Sequence, residues 1–64
     1  MGDNFNENLK EARLKSGISQ KDLAENIGVA KSTYSLYESG KREPNVDTIK
    51  KIASSLNVSA DTLL

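Results

Sequence analysis

The strongest structural signal in the chain lies in residues 20–39, QKDLAENIGVAKSTYSLYES. Leu23, Ala24 and Ile27 give the first half of this stretch an apolar patch with helical spacing. Gly28 is expected to end that helix, because glycine adopts the left-handed conformation of a helix C-terminus at little steric cost. These residues predict a short helix followed by a tight turn.

A second short helix is predicted after the turn, and its two faces differ in chemistry. Val29 is expected to fill the corner between the helices, and Tyr34 and Tyr37 mark the inward face. At about 3.6 residues per turn, the opposite face consists of Ser32, Ser35, Leu36 and Ser39, with Lys31 at its edge. Small hydrogen-bonding side chains let a helix approach base edges in the major groove of DNA. This face is therefore the best candidate for a functional surface.

Length and composition limit what else the chain can be. Its 64 residues make one small domain, which cannot enclose a deep catalytic pocket and still bury a sufficient core. Cysteine and histidine are both absent, so disulfides, thiolate zinc sites and the commonest general base are excluded. We therefore expect a binding protein and not an enzyme, with no metal site, no cofactor and no small-molecule ligand.

Hydropathy and charge narrow the class further. No apolar run approaches the roughly 18 residues of a membrane span and no signal peptide is evident, so we expect a cytoplasmic protein of bacterial or phage origin. The net charge is zero, which argues against strong sequence-independent binding to nucleic acid. Three cations nevertheless flank the polar helix face: Lys31, Lys41 and Arg42. We therefore expect a surface with uneven charge and a modest affinity of each monomer for DNA.

The rest of the chain also reads as helix, since it contains one proline and no β-branched alternation. Gly17 is the expected left-handed residue after the first helix, and Ser19, Asn45 and Ser59 are expected N-caps of later helices. Ala30 stands at the N-cap of the third helix, where alanine caps poorly. The prediction is an all-α bundle of five helices at residues 4–15, 20–26, 31–38, 46–56 and 60–64.

Apolar residues at helical spacing define the expected core. The fourth helix is the clearest case, since Val46, Ile49 and Ile52 fall within one apolar wedge. Tyr34 and Tyr37 belong to the core by their phase, and their hydroxyls are expected to reach the domain edge, where water or phosphate can satisfy them. The predicted core consists of Leu9, Ile18, Leu23, Ala24, Ile27, Val29, Tyr34, Tyr37, Ile49, Ile52, Ala53, Leu56, Val58 and Leu63.

Several short motifs follow one another in a specific order along residues 9–64. They are Gly17-Ile18-Ser19-Gln20, Leu23-Ala24, Ile27-Gly28-Val29, Tyr37-Glu38, Gly40-Lys41-Arg42, Pro44, Val58-Ser59 and Leu63-Leu64. Together they resemble the lambda-repressor-like (Cro/Xre-type) helix-turn-helix family. The resemblance implies a compact five-helix DNA-binding domain whose third helix enters the major groove. It also implies a transcriptional repressor that binds a near-palindromic operator of double-stranded DNA as a homodimer.

The resemblance also implies roles for individual residues. The base-reading positions fall on Lys31, Ser32, Ser35 and Leu36, and the phosphate-contacting positions fall on Ser19, Gln20, Thr33, Ser39, Lys41 and Arg42. Arg13 and Glu38 match a pair that forms a buried salt bridge in some members. The chain departs from the usual pattern at Tyr34, where Ile or Val is common, and at Ala30, where Ser or Thr is common.

Alternative interpretations stay open. Each polar residue of the third helix and of the Lys41-Arg42 loop could be an ordinary solvated side chain. Leu36 could be a surface leucine rather than a contact to a thymine methyl group. A protein-interaction module or an antitoxin-type partner could share this fold without binding DNA. We expect a single domain over residues 1–64, either the N-terminal part of a longer regulator or a complete small regulator.

Overall fold

The computed structural model describes residues 5–64, and every regular element in that range is an α-helix. The helices are α1 Phe5–Ser16, α2 Gln20–Ile27, α3 Lys31–Ser39, α4 Val46–Leu56 and α5 Ala60–Leu63. The predicted all-α, five-helix architecture is confirmed for these residues. α4 has the predicted bounds, α2, α3 and α5 begin at the predicted residues, and the C-terminal ends of α1, α2, α3 and α5 differ from the predicted ones by one residue. The predicted start of the first helix at residue 4 lies outside the described range.

Capping side chains explain where several helices begin and end. Ser19 Oγ and Asn45 Oδ1 each accept a hydrogen bond from the backbone N–H three residues later, at 3.0 and 2.8 Å, as predicted. Gly17 has the expected left-handed conformation, with φ of 73°. Ser59 lies at the N-cap of α5 as predicted, but its side chain makes no capping bond to a backbone N–H, and its Oγ lies 3.2 Å from Thr62 Oγ1 instead.

The core lies between the helices and is mostly the predicted one. Its fully buried large side chains are Tyr34, Leu9, Leu23, Ile52 and Leu63. Phe5 and Ala12 of α1 are also buried. The predicted core residues Ile18, Val29, Ile49 and Val58 are only partly buried and pack against this core from its edge. Ile18, Val29 and Val58 lie in the links between helices, where the chain passes over the surface.

The apolar wedge predicted for α4 extends one turn too far. Val46 is 66% exposed, whereas Ile52, Ala53 and Leu56 are buried. Val46 is the first residue of α4, so only the later turns of this helix reach the core. Helical phase identifies the inward side of a helix, but it does not show how much of that side is covered.

The packing of the helices leaves one side of α3 uncovered. α2 packs against α3 and α4, while α1 packs against α3 and α5. The inner side of α3 therefore rests on α1 and α2, and its outer side is available for other contacts. The described residues span 26 × 23 × 20 Å.

Candidate nucleic-acid interface

The turn between α2 and α3 is fixed by backbone hydrogen bonds and by one apolar side chain. Gly28 ends α2 in the left-handed conformation, with φ of 79° and ψ of 30°. The Val29 N–H donates to the Ala24 carbonyl at 3.0 Å, and the Val29 side chain packs against the core. Ala30 at the N-cap of α3 makes no side-chain capping bond, because a methyl group cannot accept a hydrogen bond. The turn therefore sets the angle of α3 without help from a cap.

The outer side of α3 carries most of the residues predicted to contact DNA. We call Lys31, Ser32, Ser35, Leu36 and Ser39 the reading face, and all of them are exposed. Leu36 is the least exposed of the large exposed apolar residues, at 36%. Thr33, predicted to contact phosphate, is half-buried beside this face. One short helix thus presents hydroxyl groups, a cation and an apolar side chain on the same surface.

The loop after α3 folds back onto the end of the helix. The Lys41 and Arg42 N–H groups both donate to the Leu36 carbonyl, at 3.1 and 3.3 Å, and Ser39 Oγ donates to the same carbonyl at 3.1 Å. The Lys41 and Arg42 side chains are exposed. These backbone bonds hold two cations next to the last turn of α3, and Lys31 supplies a third at its first residue.

The end of α3 is also held by α1. Gly40 takes the left-handed conformation with φ of 79°, and a Cβ added there would lie 3.3 Å from Asn6 Cγ. Asn6 Nδ2 donates to the Glu38 carbonyl at 3.4 Å. Glycine is therefore favoured at position 40, because the backbone would strain a side chain there and Asn6 would have to shift to admit a Cβ.

A buried polar cluster lies under α3, on the side away from the reading face. Arg13 and Glu38, predicted to pair, lie together: Arg13 Nε is 2.5 Å from Glu38 Oε2, and Nη2 is 3.3 Å from Oε1. Arg13 Nη1 donates to the Ile18 carbonyl at 2.9 Å. The two side chains are only 10% and 5% exposed. This pair ties α1 to the last turn of α3 and to the link before α2.

Two further side chains complete this polar cluster, which we define as Arg13, Gln20, Tyr34 and Glu38. The Tyr34 hydroxyl donates to Glu38 Oε2 at 2.5 Å, and Gln20 Nε2 donates to Glu38 Oε1 at 3.0 Å. The expectation that the Tyr34 hydroxyl reaches the domain edge is therefore wrong. Tyr34 is fully buried, and a carboxylate from the same helix takes the place of water or phosphate.

The cluster perturbs the ionisation of its members. Burial disfavours the charged form of Glu38, but the hydrogen bonds from Arg13, Tyr34 and Gln20 outweigh this effect and lower the pKa of the carboxyl. The hydrogen bond to Glu38 raises the pKa of Arg13 against the opposing effect of burial. Burial, reinforced by the bond to Glu38, raises the pKa of the Tyr34 hydroxyl. At neutral pH the cluster therefore contains an ionised Arg–Glu pair and a neutral tyrosine.

The remaining predicted contact residues lie at the start of α2. Ser19 is exposed, but its hydroxyl oxygen is engaged in capping the helix. Gln20 is half-buried and bonded to Glu38, a contact that the sequence did not suggest. Tyr34 and Glu38 are four residues apart on one helix, so their spacing could have indicated their bond. Gln20 and Glu38 are 18 residues apart, and no local pattern joins them.

Neither a metal site nor a membrane-spanning helix is found in the described part of the chain. Residues 5–64 contain no group of three or more His, Cys, Asp or Glu side chains placed to hold a metal ion. None of the helices in this range is long and apolar enough to span a membrane. The candidate site is the reading face with Lys41 and Arg42 beside it, because these residues bring exposed hydroxyl groups and cations together.

Comparisons with known proteins match both the sequence and the fold. A family model described as helix-turn-helix matches residues 9–63. The HTH-type transcriptional regulator ImmR of Bacillus subtilis is 45% identical over 56 residues, which cover 88% of this chain and 44% of ImmR. The cryptic phage CTXphi transcriptional repressor RstR of Vibrio cholerae is 35% identical over 49 residues, or 77% of this chain and 44% of RstR. The chain spans about half the length of the curated relatives it matches.

A solved structure agrees closely with the arrangement of the helices. The restriction-modification controller protein C.AhdI of Aeromonas hydrophila superposes with a TM-score of 0.90 and is 31% identical in sequence. The superposition covers 95% of this chain and 88% of that chain. With the family match over residues 9–63, these likenesses agree with the resemblance seen in the motifs. The chain belongs to the Cro/Xre-type helix-turn-helix family, whose members among its relatives are transcriptional regulators.

Proposed function

We propose that this chain binds double-stranded DNA sequence-specifically and serves as the DNA-binding domain of a transcriptional repressor, with α3 in the major groove. The observation that carries the proposal is the asymmetry of α3. Its inner side is fixed by the buried polar cluster, and its outer side exposes small polar residues flanked by cations. An exposed helix of this chemistry suits the width and the hydrogen-bonding groups of the major groove. The proposed activity is binding without catalysis.

The reading face would make the base contacts. Lys31, at the first residue of α3, can donate to guanine O6 and N7. Ser32 and Ser35 can both donate and accept, so each would distinguish bases only loosely. Leu36 would pack against a thymine methyl group. Such a face would select its DNA site through a few weak base preferences. The sequence-dependent shape of the DNA would contribute further specificity.

The backbone contacts would come from both ends of the helix-turn-helix. Lys41 and Arg42 are exposed beside the last turn of α3 and would pair with phosphates. Gln20, at the start of α2, would donate from its side-chain amide. The other proposed phosphate contacts are Ser19, Thr33 and Ser39. Two cationic contacts per domain would lower the slope of log K against log salt by about 1.8.

We further propose that two copies bind a near-palindromic operator and block access to a promoter. Half-sites of helix-turn-helix dimers lie about one helical turn apart, roughly 34 Å from centre to centre. The longest dimension of the described residues is 26 Å, which is shorter than this spacing between half-sites. The name of the relative RstR, a transcriptional repressor, is consistent with this direction of control.

The first test is a selection from randomised duplex DNA, followed by titration of the enriched sequences at two salt concentrations. We expect a near-palindromic sequence to be enriched, with salt-dependent affinity well above that for random duplex. No enrichment and negligible binding at low salt, for the domain as it stands and for a version with a fused dimerisation helix, would contradict the proposal. A protein partner would then be the better candidate.

A matched pair of charge reversals tests the docking face. Lys31→Glu places a negative charge at the start of α3 and is expected to abolish specific binding. Lys50→Glu makes the same charge change at an exposed position of α4, which packs mainly against α1, α2 and α5. We expect Lys50→Glu to retain most of the affinity. Equal losses in the two variants would show that net charge, and not the position of Lys31, governs binding.

A further inference from the structure

The bond between Gln20 and Glu38 fixes the orientation of the Gln20 side-chain amide. An ionised carboxylate only accepts hydrogen bonds, so the group 3.0 Å from Glu38 Oε1 must be the NH2 of Gln20 and not its carbonyl oxygen. An amide NH2 has two N–H groups, and one remains after the bond to Glu38. That second N–H, together with the carbonyl oxygen, has its direction set by a residue of another helix.

The carboxylate that holds Gln20 is itself unable to turn freely. Arg13 contacts both oxygens of Glu38, and the Tyr34 hydroxyl donates to Oε2. With the bond from Gln20, the carboxylate accepts four hydrogen bonds, which fills the acceptor sites of its two oxygens. Neutralisation by Arg13 also means that the charge of Glu38 does not repel a nearby phosphate.

An amide held in this way binds a ligand at lower entropic cost. A free glutamine on a helix surface loses several rotamers when it is fixed against a ligand, whereas a held glutamine has lost them on folding. Gln20 is the first residue of α2 and is half-buried, so its side chain reaches inward to Glu38 while its position stays at the protein surface.

We propose that Glu38 is a positioning residue for DNA binding, which holds the Gln20 amide in the orientation that donates to a backbone phosphate. This inference rests on the proposed function. The Tyr34 hydroxyl acts one step further back, by keeping the carboxylate of Glu38 in place. The contacts behind this role arise only in the folded domain, where α1, α2 and α3 meet.

A double-mutant cycle tests this positioning role on the selected duplex. Gln20→Ala is expected to weaken binding about tenfold, and Tyr34→Phe about threefold, because the hydroxyl acts only through Glu38. In the Gln20→Ala background, Tyr34→Phe should cause no further loss. Tyr37→Phe is the matched control, since Tyr37 is a buried neighbour whose ring lies 6.1 Å from that of Tyr34 but whose hydroxyl makes no bond to the polar cluster in the described structure.

The outcomes separate this inference from the proposed function. If the wild-type domain binds the duplex but Tyr34→Phe causes the same loss with and without Gln20, the hydroxyl has only a structural role and the inference is wrong. Unchanged affinity of Gln20→Ala would also overturn it, while the proposed function would stand. No binding by the wild-type domain would overturn both.

A second measurement does not require any variant to fold. In the free wild-type domain, nitrogen relaxation of side-chain NH2 groups should show Gln20 to be ordered, in contrast to the exposed Asn26. An order parameter for Gln20 as low as that for Asn26 would contradict the positioning role, whatever the result with DNA.

Discussion

The two faces of α3 differ in how firmly their side chains are held. On the inner face, Tyr34 is fully buried and the Glu38 carboxylate receives hydrogen bonds from three other residues. On the outer face, Ser32 and Ser35 are exposed and make no side-chain hydrogen bond within the described structure. One helix of nine residues thus separates two tasks: the inner face determines where the helix lies, and the outer face is free to determine what it contacts.

Replacing Arg13 of α1, which pairs with Glu38 on the inner face of α3, should have the largest effect on stability. Arg13→Met leaves the Glu38 carboxylate buried without its charged partner, which we expect to lower the free energy of unfolding by about 3–5 kcal/mol. Urea denaturation followed by circular dichroism measures the change. Lys10→Met, at an exposed position of the same helix, should change stability by less than about 0.5 kcal/mol. A loss below about 1 kcal/mol for Arg13→Met would mean that the pair contributes little.

Acid should weaken the inner face without any mutation. The pKa of Glu38 is lowered in the folded domain, so the stabilisation it provides is fully present above its ordinary value of 4.5. As the pH falls below that value, the unfolded chain takes up the proton first, and the stabilisation is lost as the pH passes through the folded pKa. Urea denaturation midpoints measured between pH 3 and pH 7, at intervals of about one pH unit, should show this decline in stability. Glu38→Gln should reduce this dependence of stability on pH. Glu25→Gln, at an exposed position of α2, should leave the dependence unchanged.

Removing one hydroxyl from the inner face should have a smaller effect. Tyr34→Phe keeps the buried ring and deletes the hydrogen bond to the charged Glu38, which we expect to cost about 1.5–3 kcal/mol of stability. Tyr37→Phe removes a hydroxyl from the adjacent ring and should cost less. Thermal and urea unfolding measure the stability of both variants. Equal losses of stability would show that the hydrogen bond to Glu38 contributes no more than the Tyr37 hydroxyl does.

Changing the outer face should leave stability almost untouched. Ser35→Ala is expected to alter the free energy of unfolding by less than about 0.5 kcal/mol, because Ser35 is exposed and alanine is a good helix former. The same variant should shift the preferred bases when the selection from random duplexes is repeated. A large stability change with an unchanged base preference would reverse the roles that we assign to the two faces.

Local sequence patterns predicted the parts of the molecule that local physics controls. The bounds of α4, the caps at Ser19 and Asn45 and the left-handed Gly17 follow from residues close in sequence, and all were correct. Apart from the capping bond expected at Ser59, the wrong or missing predictions concern tertiary surroundings. Helical phase placed Val46 on the inner side, but only the fold shows that most of its surface stays exposed.

The polar cluster illustrates the same limit within the candidate site. Phase correctly placed Tyr34 inside, but the partner of its hydroxyl depends on which polar group shares that space. Arg13 and Glu38 were paired through a family resemblance and not through their spacing of 25 residues. The contact between Gln20 and Glu38 required the fold itself. The predicted assignments on the reading face describe contacts with an absent partner, and they stay predictions until DNA is bound.

The loop that folds back onto Leu36 has a consequence for protein engineering. The Lys41 and Arg42 N–H groups and the Ser39 hydroxyl all donate to the backbone carbonyl of Leu36. The position of the loop therefore depends little on the Leu36 side chain. A library randomised at Ser32, Ser35 and Leu36 would therefore keep both the buried anchor of the helix and the placement of the basic loop. Such a library would sample new operator preferences on a constant scaffold, with folding and recognition encoded at interleaved positions of the same short helix.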